Sequence, residues 1–441
     1  MSKRVVVIGG GICGCAAALD LARAGHEVIV LERSENLGGL VVSFSVGGTP
    51  LECFYHHIFP NETRIIRLID ELGLSDRLQW YPSSVSVLTR GKFWGFTSPI
   101  ELLRFKPLPV LDRLRLGIAT LRLAGKRDAQ ALDDVPARDW LTANAGRRAM
   151  EAVWDPLLRF KFGTAAGNVP ASWMRARLRQ RAAARGLRGE RLGYLRGGFR
   201  QMFDGLEREL ARLGAKVRTQ TAVEAVAVDG GRVTGVNVKS GGTSEESLDA
   251  DAVLYAGQLP NVASLIPEGQ RDPQWSEIGR LGAICIIIEM SKPISRYYWT
   301  NCCDEEIPFG ALIEHTNLVP ASEYGGRHVA YLGRYFTADD PVATADPNDL
   351  AADWISALEA WLPGFSSSQV LGINPFRTPY AAPLVTLGYQ SAIPPITSHI
   401  DGLYVATTAQ IYPEDRGMDE GVRLAQRAVH DITDQTPRLS P

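Results

Sequence analysis

The sequence predicts an α/β chain built on a Rossmann-type nucleotide-binding unit, and three features near its start predict it. Val5 to Ile8 is a continuous apolar run, as expected of a parallel strand covered on both faces. Gly9, Gly11 and Gly14 follow at G-x-G-x-x-G spacing and lead into Ala16 to Ala24, which carries the apolar stripe of a helix. A second strand, His26 to Leu31, ends on the acid Glu32.

Each part of that unit has a physical task. The glycines give a tight turn, a close approach for pyrophosphate, and close packing of helix on strand. The helix N-terminus offers free N–H groups and a positive dipole end to phosphates. Glu32 can accept hydrogen bonds from two ribose hydroxyls and would repel a 2′-phosphate, which argues against NADP.

The next residues decide between NAD and FAD. After the acid comes E-R-S-E-N-L-G-G, which places a second glycine pair at Gly38 and Gly39. This pattern resembles the FAD-binding amine oxidase superfamily, which includes protoporphyrinogen oxidase, phytoene desaturase and UDP-galactopyranose mutase. The resemblance implies non-covalent FAD, with the glycine pair close to its phosphates. It assigns Gly9, Gly11, Gly14, Glu32, Arg33, Gly38, Gly39 and Leu40 to cofactor binding. No cysteine lies in the C-terminal flavin loop, so a cysteinyl linkage is not expected.

Further segments continue the same pattern. A glycine pair, Gly197–Gly198, precedes an amphipathic helix over Phe199 to Leu213. Strands follow around Lys216–Arg218, Ala222–Val228 and Val233–Val238, and the resemblance places Val223 against the adenine. Asp249 to Gly257 resembles the strand that ends under the pyrophosphate. Near the C-terminus, strand Leu403–Ala406 leads through a loop to a helix from about Met418, and the resemblance sets Gly417 and Met418 beside the flavin. The implied architecture is a glutathione-reductase-like FAD-binding domain (residues 1–80, 191–260 and 395–435) with an inserted α+β substrate domain (81–190 and 261–394).

Composition excludes several classes. The 441 residues are 45% hydrophobic with a net charge of −2, which suggests no nucleic-acid partner. No apolar run approaches the ~18 residues of a spanning helix. With the first strand starting at about Arg4, no signal or transit peptide is expected, and a cytoplasmic location follows. The cysteines at 13, 15, 53, 285, 302 and 303 lack metal-ligand spacing, so neither a metal nor a structural disulfide is expected. Oligomeric state is left open. Ile100 to Arg127 is both basic and apolar, and the comparable region of some relatives meets a membrane. Peripheral membrane contact is nevertheless not the expectation: Pro107 and Pro109 break any single long helix, and core packing explains the leucines equally well.

Three constellations compete for the chemistry. "ECFYHHIFP" holds His56 and His57, and a similar segment in the mutase branch passes beside the flavin, where a histidine could donate to the ring or relay a proton near neutral pH. If this segment is a strand, one histidine faces in and the other out. A run of arginines comes second: spacing puts Arg177, Arg181 and Arg185 on one helical face with Arg188 close by, suited to an anionic substrate group or to a solvated surface. In the third, "TAQIYPEDRGMDEG", Tyr412 is a candidate for the pocket wall, Arg416 flanks the same loop, and Asp419 and Glu420 read as helix-capping acids. Other tyrosines, Tyr324, Tyr331, Tyr335, Tyr380 and Tyr389, could join the wall.

No second G-x-G-x-x-G unit occurs, so electrons from a small-molecule substrate must pass to oxygen, a quinone or another protein. The expected function is an FAD-dependent oxidoreductase that removes a hydride from a substrate bearing an anionic group. The alternative is a redox-neutral, mutase-like flavoenzyme acting on a nucleotide sugar or lipid-linked sugar. A non-catalytic flavin-binding scaffold is the third reading.

Overall fold

The computed structural model describes residues 2–186, 189–241 and 244–434. Its organising element is a five-stranded parallel sheet in the order 216–218, 27–31, 4–8, 252–255, 403–405. Strand Arg4–Ile8 is central, and its residues Val5 to Ile8 are buried, which explains the unbroken apolar run. Helix Ile12–Arg23 follows the glycine turn and packs against helices Arg200–Arg212 and Met418–Thr433. One face of the sheet is therefore covered by helices drawn from three distant parts of the chain. A three-stranded antiparallel sheet (221–229, 232–240, 244–249) lies beside it.

The second layer is a seven-stranded mixed sheet ordered 370–383, 280–290, 328–336, 311–314, 299–302, 85–89, 92–95. Strand Arg280–Met290 is buried from Leu281 onward, as a central strand with both faces covered must be. Helices Val110–Gly125, Ala137–Ala145, Asp155–Phe162 and Ala171–Ala183 form the layer that closes the remaining side. One π turn, Met150–Trp154, precedes helix Asp155–Phe162. Short starts are well marked by sequence: Ser98 caps helix Pro99–Leu103 with Glu101 in a reciprocal capping box.

Two sequence expectations change here. The arginine helix ends at Ala183, so Arg185 lies beyond it in strand Arg185–Gly186 and does not extend the Arg177–Arg181 face; Arg188 lies outside the described residues. Core packing accounts for only part of the 100–127 segment. Leu108, Leu116 and Leu123 are buried, whereas Leu103, Leu111, Leu114 and Leu121 are exposed. No helix among the described residues is long and apolar enough to cross a membrane.

The glycine turn gives a stability prediction. A Cβ on Gly14 would stand 2.0 Å from the Gly9 carbonyl oxygen, so helix and turn would have to separate. Gly14→Ala is expected to destabilise the fold by about 1–3 kcal/mol, the usual cost of overpacking. Chemical denaturation checks this, and an unchanged midpoint would contradict the close packing.

Candidate active site

A cavity of about 1260 Å³ runs between the two layers. Single-ligand pockets commonly span about 300–1,000 Å³, so this one can hold a dinucleotide and a second molecule. At one end it is lined by Gly9, Gly11, Glu32, Arg33, Gly38, Gly39 and Leu40. Val223, Gly417 and Met418 also line it. Gly14 does not. Its place is under the turn, where it lets the helix meet Gly9.

The local backbone explains why these residues converge. Gly9 adopts φ 111°, a conformation that side chains rarely tolerate. A Cβ on Gly11 would meet no protein atom within 4 Å, so the space above it is free for a ligand. A Cβ on Gly39 would stand 3.3 Å from Gly11 Cα, which shows how closely the two glycine segments approach. Glu32 is buried, and its carboxylate accepts from the Gly10 N–H at 2.7 Å and the Ser34 N–H at 2.8 Å. Two helices start at this wall, Ile12–Arg23 and Met418–Thr433, and helix N-termini attract anionic groups. An open glycine cradle, an acid at the strand end and two helix starts fit a dinucleotide such as FAD.

The other end of the cavity holds charge. Lys161 is half-buried, with its ammonium 3.1 Å from Asp415 and 4.5 Å from the Trp173 ring centroid. Arg177 reaches the same Asp415 carboxylate at 2.8 Å. Burial pushes the Asp415 carboxyl up, but Lys161, Arg177 and Arg416 outweigh it, so the group lies well below the usual carboxylate range. Burial also lowers the Lys161 ammonium, and Asp415 only partly restores it. Arg416 donates to the Ala381 carbonyl and, at 3.1 Å, to the Tyr335 hydroxyl. Burial raises the Tyr335 phenol, yet the Arg416 and Lys161 cations bring it below its ordinary value. Arg181 stacks over Trp299 with its guanidinium 5.7 Å from the ring centroid. Arg177, Arg181, Lys161, Asp415, Arg416 and Tyr335 all line the cavity.

His56 and His57 both line it too, because the segment from Phe54 to His57 is irregular and imposes no in–out alternation. The His56 Nδ1–H donates to the Phe54 carbonyl at 2.6 Å, while His57 Nδ1 is hydrogen-bonded to the Tyr298 hydroxyl at 3.0 Å. Burial pushes His56 down to about 4, and burial with Arg181 nearby pushes His57 down to about 3. Both shifts run toward the neutral imidazole, against the expected proton relay near neutral pH.

Tyr412 is the larger correction. It is absent from the cavity wall: its hydroxyl donates to Asp133 at 2.5 Å and bonds Ser172 at 2.6 Å, and its ring packs on Tyr389. The loop turns so that Asp415 and Arg416 face the cavity instead. Of the other tyrosines, Tyr335 and Tyr380 line it, while Tyr324, Tyr331 and Tyr389 are tied into buried hydrogen bonds elsewhere. Asp419 does cap a helix, but the neighbouring one: it accepts from Arg64 N–H and Ile65 N–H at 2.7 and 3.0 Å. Sequence reasoning missed Lys161 and Asp415. A signal for the first existed, a lone lysine between Phe160 and Phe162 on a largely apolar helix.

The flavin containing amine oxidoreductase family model matches residues 12–433. The chain belongs to that family, and its cofactor is FAD. A zeta-carotene desaturase of Synechocystis is 24% identical over 306 residues, 63% of this chain and 62% of that protein. The chain spans between about half and just under two thirds of the curated relatives it matches first. Among solved structures, cyclohexylamine oxidase from Brevibacterium oxydans superposes with TM-score 0.72 at 17% identity, covering 98% of this chain and 99% of that one. Reduced UDP-galactopyranose mutase gives 0.74 at 16% identity, covering 99% and 97%. At these identities the likeness shows a common fold.

Two measurements check the site. Gly11→Val should strip most of the bound flavin while changing the stability of flavin-free protein by no more than about 1 kcal/mol, since only the helix cap is altered. A normal flavin-to-protein ratio would contradict the open cradle. In histidine-selective NMR, the His56 and His57 imidazoles should show no titration between pH 5.5 and 8, because both groups are already neutral above about 4 and about 3. A midpoint near 6.5 for either would restore it as a proton carrier.

Proposed function

We propose that the chain, taken as a member of the flavin containing amine oxidoreductase family, removes a hydride from a small molecule that carries an anionic group. The donor carbon would lie next to nitrogen, oxygen or an activating double bond. The observation that carries this reading is the sharing of Asp415 by Lys161 and Arg177. Those three groups together hold one net positive charge, and Arg416, hydrogen-bonded to the Ala381 carbonyl and the Tyr335 hydroxyl, adds another. A protonated amine would be repelled there. A carboxylate or phosphate would be held by charge-assisted bonds.

The cofactor-binding roles we assign go to Gly9, Gly11, Glu32, Arg33, Gly38, Gly39, Leu40, Val223, Gly417 and Met418, which all line the cavity. What FAD supplies when bound is acceptance of two electrons. This chain's own residues do the rest. Arg177, Lys161 and Arg181 bind and orient the anionic end, and Trp173 and Trp299 exclude water from their charges. Tyr335, which accepts from Arg416 and lines the cavity, is placed to hydrogen-bond a substrate N–H or O–H. Away from the charges, Phe96, Leu102, Leu116, Val153 and Leu157 give the substrate's remainder an apolar wall.

A redox-neutral reaction on a sugar nucleotide or lipid-linked sugar is the second reading, favoured by His56 and His57 on the cavity wall. The two readings separate on anaerobic mixing: substrate that bleaches the oxidised flavin supports hydride removal, whereas turnover only after dithionite reduction supports the mutase type.

The anion site can be tested before the substrate is known, by titrating the flavin absorbance of the holoprotein with simple carboxylates, phosphate monoesters and amines. Carboxylates or phosphates should perturb the spectrum and amines should not. Arg177→Ala and Arg181→Ala should each weaken the anion titration by roughly tenfold to a hundredfold, the equivalent of one charge-assisted hydrogen bond. A spectrum that responds to amines alone would overturn the reading, as would wild-type affinity in both variants.

A further inference from the structure

The loop that carries Asp415 and Arg416 has little backbone structure of its own. It lies between the turn Thr408–Gln410 and helix Met418–Thr433. Among the described residues, no backbone–backbone hydrogen bond involves Tyr412, Pro413, Glu414, Asp415 or Arg416. The loop is held by its side chains instead. Arg416 reaches the Ala381 carbonyl and the Tyr335 hydroxyl, and Asp415 joins Lys161 and Arg177. Tyr412 does not line the cavity, and its ring packs on Tyr389 with 5.1 Å between centroids.

The Tyr412 hydroxyl makes two bonds, 2.5 Å to Asp133 and 2.6 Å to Ser172. A phenol has one hydrogen to give, and an ionised carboxylate can only accept. That hydrogen goes to Asp133, so Ser172 must donate to the phenol oxygen. The result is a directed chain from Ser172 through Tyr412 to Asp133. Ser172 is buried, so its hydroxyl has no water to turn to.

Ser172 also stands on the helix that carries the cations. It lies about 7.5 Å from Arg177 along the axis of helix Ala171–Ala183. Helix and loop are therefore joined at two rungs, Ser172 to Tyr412 and Arg177 to Asp415. The second rung lines the cavity and is open to competition from any anion that enters. The first is not. We propose that Tyr412 is a positioning residue: its hydroxyl, held between Ser172 and Asp133, fixes the loop against the arginine helix so that Asp415 meets Lys161 and Arg177. The latch itself does not depend on the proposed anionic substrate; only its consequence for anion binding rests on that reading.

The experiment measures how fast acetic anhydride acylates Lys161 in the FAD-loaded full chain, by peptide mass spectrometry, with exposed Lys92 as the internal standard. Only the free amine reacts. Burial lowers the Lys161 ammonium and Asp415 partly restores it, so a displaced Asp415 leaves more free amine. Tyr412→Phe keeps the ring and should keep the flavin, yet it should raise Lys161 acylation several-fold while Lys92 stays unchanged. Asp415→Asn should raise it too, and adding Tyr412→Phe to that variant should change nothing further, because the tyrosine acts through the carboxylate. Ser172→Ala removes the donor and should act in the same direction, which keeps the test open if Tyr412→Phe does not fold. Wild-type acylation in Tyr412→Phe and Ser172→Ala would overturn the proposal. So would an equally large rise when Tyr412→Phe is added to Asp415→Asn. Acetate titrated against the flavin spectrum should bind Tyr412→Phe on the order of tenfold more weakly than wild type. If wild-type protein ignores acetate, the anion reading fails while the acylation rates still decide the latch.

Discussion

The position of one carboxylate governs the nucleotide end of the molecule. Glu32 stands where strand Glu27–Leu31 ends, and each of its oxygens takes one backbone N–H, from Gly10 and from Ser34. Charge-assisted bonds of this kind contribute about 1.5–3 kcal/mol each. The glycine turn is thereby held at a fixed distance from the start of the second glycine segment, which in turn sets Gly39 against Gly11. The remaining lone pairs of the same carboxylate stay directed at the cavity, which Glu32 lines. One side chain thus shapes the cradle and offers it an acceptor.

Elsewhere on the cavity wall, two half-buried cations share a single carboxylate, and this imbalance distinguishes the cavity from a merely apolar one. A half-buried Lys–Asp–Arg group is costly to assemble because all three lose part of their water. Aromatic faces lessen that cost: Trp173 lies under both Lys161 and Arg177, and Trp299 under Arg181. The adjoining histidines respond to the same field. Already neutral through burial, His57 is pushed further down by Arg181 and Arg177.

Much of the parallel sheet could be read from the sequence, because it depends on local signals. Apolar runs marked the strands, glycine spacing marked the turn, and Gly417–Met418 marked the final helix start. The cavity's charged end was legible only in part. Arg177 and Arg181 were visible through their spacing on one helix face, but Asp415 needed the loop from another part of the chain. Tyr412 was misread for the same reason: its direction is set by Asp133 and Ser172, which are distant in sequence. The leucines of helix Val110–Gly125 were ambiguous for another reason. A leucine looks the same in a sequence whether it faces core or water, and this helix has both kinds at helical spacing.

The central sheet also orders events in time. Its strands come from residues 4–31, 216–255 and 403–405, and helix Met418–Thr433 closes against helix Ile12–Arg23. A nascent chain therefore carries the glycine turn long before the segment that covers it has left the ribosome. Contacts of such sequence separation form late and slowly. Until they form, the apolar side of the first helix is exposed and the cofactor cradle has only one wall. Early intermediates should thus depend on chaperones to avoid aggregation, and flavin capture would be the last act of folding rather than its nucleus.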